Sequence, residues 1–132
     1  MARLEMRLAE AEAALGTLDD AVRTADRSLT ERDSAILRLI YTFEAVWKAC
    51  QQVLTERENV EVASPNGAIR AARRLGWLSD PDAEAALKIG RDRNLAVHMY
   101  RGRIGEEIAV RLAGHAAVLR RWLDAMKEGG GE

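Results

Sequence analysis

The sequence predicts an all-α fold, an up-down antiparallel four-helix bundle with one extra short helix. Apolar residues recur at helical spacing through most of the 132 residues. No segment alternates apolar and polar residues long enough to make a strand, and only two prolines interrupt the pattern. Long helices that are joined by short loops pack most simply as an antiparallel bundle.

The first predicted helix carries one narrow apolar seam. Its apolar residues alternate in steps of four and three, which keeps them on one side of a helix; they are Leu4, Leu8, Ala11, Leu15, Leu18, Val22, Ala25 and Leu29. Thr30 and Asp33 resemble a capping box, so the second helix is predicted to begin there. A strict seam also leaves a face for a second copy, and we expect a homodimer that dimerises through helix faces.

The second predicted helix has a wider apolar face and should be more buried than the first. Its apolar residues occupy two adjacent seams, Ile36, Ile40, Phe43, Trp47, Cys50 and Leu54 on one and Leu39, Val46 and Val53 on the other. In "FEAVWK", Phe43 and Trp47 are core residues at helical spacing, and Glu44 with Lys48 is predicted to form an i,i+4 ion pair. Cys50 is interpreted as a small core residue.

Start and stop signals delimit the next two helices. Ser64 and Pro65 are a good N-cap and first-turn pair for a short helix that ends near Gly76, a residue suited to the left-handed C-terminal position. "SDPD" at residues 79–82 repeats the signal and opens a fourth helix that should stop near Gly102.

The last predicted helix begins near Ile104. Its apolar stripe comprises Ile108, Leu112, His115, Leu119, Trp122 and Met126. His115 lies on this stripe, so a core or interface histidine with one satisfied hydrogen bond is the better interpretation of it. We expect residues 1–127 to form a single helical domain and residues 128–132 to be a flexible glycine-rich tail.

Composition narrows the classes of function. Apolar residues make up 48% and charged residues 31% of the chain, as in a folded helical protein, and a net charge of −1 predicts no global attraction to nucleic acid or membranes. A lone cysteine, no signal-peptide pattern and no membrane-spanning run predict a cytoplasmic protein. There is no metal-ligand spacing, phosphate-binding glycine loop or paired aspartate motif, so we expect neither a metal nor a cofactor in this chain.

The segment "RDRNLAVHMY", residues 91–100, concentrates polar chemistry in one stretch of helix. Residues 88–103 hold the single acid Asp92 and five basic residues, which are Lys88, Arg91, Arg93, Arg101 and Arg103. On an ideal helix Asn94 and His98 point the same way, whereas Arg93 and His98 diverge by roughly 140°. Two copies of the chain facing each other could bring these groups together.

Such a set of groups suits metal-free cleavage of RNA. An arginine binds phosphate, an amide fixes a neighbouring oxygen, and a histidine that titrates near neutral pH moves the proton. Two plainer interpretations stay open, because an arginine and a histidine at this spacing also occur by chance. The segment could be a solvated basic helix end, or the chain could be a helical oligomerisation protein without a site.

Three segments in order resemble the HEPN family (higher eukaryotes and prokaryotes nucleotide-binding), in its HepT-like, nucleotidyltransferase substrate-binding group. "YTFEAVWK" is similar to the family's F-E-x-x-W-K helix, and "SPNGAIRAARRLGWL" to its S-P-x-x-x-I-R-x-A helix. "RNLAVHMY" matches its R-x4-H-x-Y motif. The likeness covers roughly residues 36–126.

The resemblance implies a dimeric helical bundle that partners a minimal nucleotidyltransferase encoded nearby, as the toxin of a type VII toxin–antitoxin pair. Arg93, His98 and Asn94 would then form a metal-independent RNase site at the dimer interface, with Arg91, Arg101 and Arg103 binding phosphate or RNA. The partner would bind Mg-ATP and silence the toxin by AMP transfer to Tyr100. The alternative is a nucleotidyltransferase-binding subunit without RNase activity, and assembly beyond a dimer is left open.

Overall fold

The computed structural model describes residues 2–24, 28–99 and 102–130, and its regular structure there is helical throughout. The helices are α1 (Ala2–Val22), α2 (Leu29–Val53), α3 (Pro65–Arg74), α4 (Asp80–Met99) and α5 (Gly102–Gly130). A single π-helical turn, Leu54–Glu58, extends α2. This confirms the predicted class, four long helices with one short one.

Helix α2 is the centre of the bundle. It contacts α1, α3, α4 and α5, and α5 in turn packs against α1 and α4. The wide apolar face predicted for α2 is buried, because a helix with neighbours on several sides needs more than one apolar seam. Cys50 is fully buried as predicted, and burial raises the pKa of its thiol to about 12.

The apolar seam of α1 packs against other helices of the same chain. Leu4, Ala11, Leu15 and Leu18 are buried against α2 and α5, so the predicted free face for a second copy does not lie there. The seam also ends with α1 at Val22, and Leu29 is the 70% exposed first residue of α2. Ala25 lies outside the described residues.

The second helix begins two residues earlier than predicted. Ser28 caps α2, its Oγ accepting the backbone N–H of Glu31 at 3.1 Å, while the Glu31 carboxylate accepts the Ser28 N–H at 2.9 Å. The predicted capping pair of Thr30 and Asp33 lies inside the first turns of the helix. Ser28 with Glu31 matches the S/T-x-x-E/Q pattern of a capping box more closely than Thr30 with Asp33, because the longer glutamate side chain reaches back to the N-cap N–H.

The predicted boundaries of α3 and α4 are confirmed. Ser64 Oγ accepts the N–H of Gly67 at 3.1 Å, and Gly76 has the left-handed φ of 81° expected after a helix. Ser79 Oγ accepts the N–H of Asp82 at 3.2 Å and so caps α4.

The predicted stripe of α5, including His115 and Trp122, is buried. The helix is described through Gly130. The flexibility expected of residues 128–132 stays a prediction. No helix among the described residues combines the length and the apolarity that crossing a membrane requires.

Replacing Ser28 by Ala should lower the free energy of unfolding by about 1 kcal/mol, because the Glu31 N–H loses its acceptor. Urea denaturation followed by circular dichroism measures the change. Thr30→Ala is the matched control and should shift stability by less than about 0.5 kcal/mol. A larger loss in Thr30→Ala than in Ser28→Ala would contradict the Ser28 cap.

Candidate functional site

Arg93 is held between α4 and α2. One terminal nitrogen of its guanidinium lies 3.2 Å from Glu44 Oε1, and its Cζ lies 5.6 Å from the centroid of the Phe43 ring. The side chain remains 25% exposed. Arg93 is therefore oriented by an ion pair and a cation–π contact while part of it still faces solvent.

Among the described residues, helix α2 supplies the groups that hold Arg93. Phe43 is buried beneath the guanidinium, and Trp47 Nε1 donates to Glu44 Oε2 at 3.2 Å. Each carboxylate oxygen of Glu44 thus has a cationic or N–H partner. The predicted ion pair between Glu44 and Lys48 is wrong, because Glu44 turns toward α4 and pairs with Arg93 instead.

A cleft of about 370 Å³ separates the start of α3 from the middle of α4. The described residues that line it are Ser64, Pro65, Asn66, Arg70, Leu87, Gly90, Arg91, Arg93 and Asn94. Gly90 lies beside the Phe43 ring of α2, where a Cβ would be in van der Waals contact with Phe43 Cζ at 3.4 Å. The cleft therefore brings together three of the predicted site residues, Arg91, Arg93 and Asn94.

Asp92 points the opposite way, into the core. It is 2% exposed, and Arg111 donates to both of its carboxylate oxygens, at 2.8 and 2.7 Å. His115 Nε2 lies 2.7 Å from Asp92 Oδ2. The expected buried histidine with a satisfied hydrogen bond is confirmed, and its partner is the one acid of the basic segment.

Burial and hydrogen bonding act in opposite directions on this buried trio. Burial raises the pKa of the Asp92 carboxyl, but the hydrogen bonds with Arg111 and His115 outweigh it and leave that pKa below its ordinary value. Burial, together with the nearby charges of Arg111 and Lys88, lowers the pKa of His115 by more than its contact with Asp92 raises it. Near neutral pH Asp92 is therefore charged and Arg111 is its principal counter-ion.

Sequence reasoning missed both Glu44 and Asp92 as organising residues. A signal for Asp92 was present, since it lies three residues after Ile89 and four before Ala96, two buried positions of α4. A carboxylate on the apolar stripe of a helix must find a cationic partner across the core. Glu44 gave no comparable signal, because an i,i+4 lysine offered it a local partner.

The remaining predicted site residues lie around the end of α4. His98 belongs to the last turn of the helix, which ends at Met99, and its side chain is outside the described part of the structure. Tyr100 and Arg101 also lie outside the described residues. Arg103 is exposed in the first turn of α5 and does not line the α3–α4 cleft. Their proposed roles stay predictions.

Comparison with known proteins adds a family and a set of related folds. The sequence profile of the family described as nucleotidyltransferase substrate binding protein like matches residues 6–128. A solved protein of Thermus thermophilus is 45% identical, with a TM-score of 0.84 over 88% of this chain and 98% of its own. A search of curated proteins finds no match.

Two solved toxin–antitoxin structures share the fold at low identity. One is a tri-AMPylated Shewanella oneidensis HEPN toxin in complex with the MNT antitoxin; it is 18% identical, with a TM-score of 0.77 over 95% of this chain and 96% of its own. The other is a toxin–antitoxin structure with AMP-PNP; it is 17% identical, with a TM-score of 0.75 over 93% of this chain and 96% of its own.

Replacing Asp92 by Asn should lower the free energy of unfolding by about 3 kcal/mol, because Arg111 loses its counter-ion at the edge of the core. Urea denaturation at neutral pH measures the loss. Asp82→Asn is the control: it removes a carboxylate whose partner Arg121 is 56% exposed, and it should cost less than about 1 kcal/mol. Equal effects of the two changes would contradict an anchoring role for Asp92.

Proposed function

This chain belongs to the family described as nucleotidyltransferase substrate binding protein like, and on that basis we propose that it is the HepT-like toxin of a type VII toxin–antitoxin pair. The family match confirms the resemblance carried by the "FEAVWK", "SPNGAIRAA" and "RNLAVHMY" segments. In the proposed pair, the chain binds a minimal nucleotidyltransferase that is encoded nearby. Its toxic activity is metal-independent cleavage of RNA.

The position of Arg93 carries the proposal. A solvated basic helix end would leave Arg93 in water, whereas Glu44 and Phe43 hold it at the wall of a cleft. Asn94 and Arg91 line the same cleft and are exposed. An oriented guanidinium beside an amide and a second guanidinium is a suitable receptor for a phosphodiester.

In the proposed reaction, the ribose 2′-oxygen attacks the adjacent phosphorus and the bond to the 5′-oxygen breaks. The products are a 2′,3′-cyclic phosphate and a 5′-hydroxyl. His98 of one copy takes the proton from the 2′-hydroxyl, and His98 of the other gives a proton to the departing 5′-oxygen. Arg93 stabilises the charge that develops on the phosphate oxygens, with Asn94 as an orienting donor.

An apolar surface near the end of α4 suits a second copy of the chain. Leu37 and Tyr41 of α2 and Val97 of α4 are 44–56% exposed. A mainly apolar hollow of about 450 Å³ lies between the start of α2 and Ala96 and Val97. Dimerisation through this face would cover exposed apolar area directly beside the motif.

AMP transfer to Tyr100 is the proposed means of silencing. The partner would bind Mg-ATP and attach AMP to the phenol oxygen with release of pyrophosphate. On an ideal helix Tyr100 would share a face with Arg93, seven residues earlier. A phosphate-bearing group on Tyr100 would then neutralise the charge of Arg93 and obstruct an RNA strand. The tri-AMPylated state of the Shewanella oneidensis toxin is the precedent for this step.

One observation favours the alternative function, a nucleotidyltransferase-binding subunit without RNase activity. Arg93 already has a carboxylate partner in Glu44, so its charge is compensated before any phosphate binds. In that case the basic segment 88–103 would be a docking surface for the partner enzyme. Docking would then be independent of His98.

Incubation with the neighbouring nucleotidyltransferase and Mg-ATP should add whole adenylate units to this chain on a peptide that contains Tyr100. Intact-mass spectrometry followed by peptide mapping measures the addition. Tyr100→Phe, which lacks only the acceptor oxygen, should gain nothing at that position. Full modification of Tyr100→Phe, or none of the wild-type chain, would contradict silencing at Tyr100.

The purified protein should cleave RNA in the presence of EDTA, and His98→Ala should reduce the rate at least about 100-fold, the lower range for loss of a general acid–base group. Gel electrophoresis of end-labelled RNA measures the rate, and circular dichroism checks the fold. His115→Gln serves as the control histidine change. Absence of wild-type cleavage, with co-purification of the partner retained in His98→Ala, would favour the binding-subunit alternative.

A further inference from the structure

The α3–α4 cleft extends beyond the motif residues toward α3. Arg70 of α3 lines it together with Arg91 and Arg93 of α4, so both helices contribute a guanidinium. No acidic side chain is among the described residues that line it. The cleft therefore presents the positive charge of Arg70 and Arg91 without a carboxylate in its described lining, while Arg93 is paired with Glu44.

Arg70 and Arg91 differ from Arg93, the third arginine of the cleft, which pairs with Glu44. Within the described parts of the chain neither has an ion pair, and both are exposed. Arg74 of α3 is likewise exposed and has no ion pair among the described residues, but it does not line the cleft. Arg70 and Arg91 both face the cleft, so their positive charge is available there for an anion from outside.

The start of α3 adds to this field. Ser64, Pro65 and Asn66 form part of the cleft wall, and the ten-residue helix begins at Pro65. The N-terminal end of a helix carries partial positive charge and exposes backbone N–H groups. The helix end and the two arginines thus favour the same kind of ligand.

We propose that the α3–α4 cleft is a phosphate subsite for single-stranded RNA, in which Arg70 and Arg91 bind the phosphodiester next to the one held by Arg93. This inference rests on the proposed function, because it identifies where the RNA substrate binds next to Arg93. The cavity of about 370 Å³ is within the range of small-ligand sites and accommodates one nucleotide's sugar and phosphate. Recognition through phosphates makes the subsite independent of base sequence.

A fluorescein-labelled single-stranded oligodeoxynucleotide tests the subsite, since it retains the phosphates but has no 2′-hydroxyl to be cleaved. Fluorescence anisotropy with the full chain should show that Arg70→Gln and Arg91→Gln each weaken binding about tenfold. Each should also reduce the slope of log affinity against log salt by about 0.7, the value for one phosphate contact on a single strand.

Arg74→Gln is the matched control, because it removes the same charge from an exposed position of α3 that does not line the cleft. It should bind the oligonucleotide within about twofold of wild type and keep the full salt slope. Affinities and slopes of Arg70→Gln and Arg91→Gln that equal those of Arg74→Gln would overturn the proposal.

A second arm identifies the source of the phosphate. If AMP or ATP were the occupant, Arg70→Gln would weaken binding of that nucleotide and leave oligonucleotide binding intact, which would overturn the assignment to RNA. The Tyr100 mass measurement and RNA cleavage, both made on the wild-type chain, report on the proposed function separately. If the wild type cleaves RNA but Arg70→Gln and Arg91→Gln bind the oligonucleotide as the wild type does, the subsite is contradicted and the proposed function is not.

Discussion

The buried ion pair of Asp92 with Arg111 fixes the rotation of α4, and the candidate site depends on that rotation. At about 100° per residue, Gly90 and Asn94 lie roughly 160° from Asp92, on the opposite side of the helix. Because Asp92 must face α5 to keep its partners, those residues must face the α3–α4 cleft. A small rotation of α4 would expose Asp92 and withdraw the cleft residues together.

The same rotation places Arg93 on the flank of α4 that faces α2. There Glu44 and Phe43 hold the guanidinium by an ion pair and a cation–π contact. The motif arginine is thus positioned by residues of a helix that lies far earlier in the chain. The "FEAVWK" and "RNLAVHMY" segments thus each supply one half of this contact.

The one acidic residue of segment 88–103 is buried, whereas the described basic residues of the segment lie nearer the surface. Asp92, its only acid, is buried and compensated from α5, so it does not offset the basic residues at the surface. Arg91 keeps its full charge at the cleft, whereas Glu44 partly compensates Arg93. A surface that supplies both an oriented cation and an uncompensated one can bind one phosphate firmly and attract a second.

The sequence by itself determined the helices, their buried stripes and the family, because periodicity and capping are local properties that need no partner element. Thus the stripe of α5 and the cap at Ser64 were predicted correctly. Only the tertiary structure decided the partners of Glu44 and Asp92 and the cleft between α3 and α4. Ion pairs between helices depend on how the helices are rotated and packed. The sequence alone therefore does not show whether Glu44 pairs with Lys48 on its own helix or with Arg93 on α4.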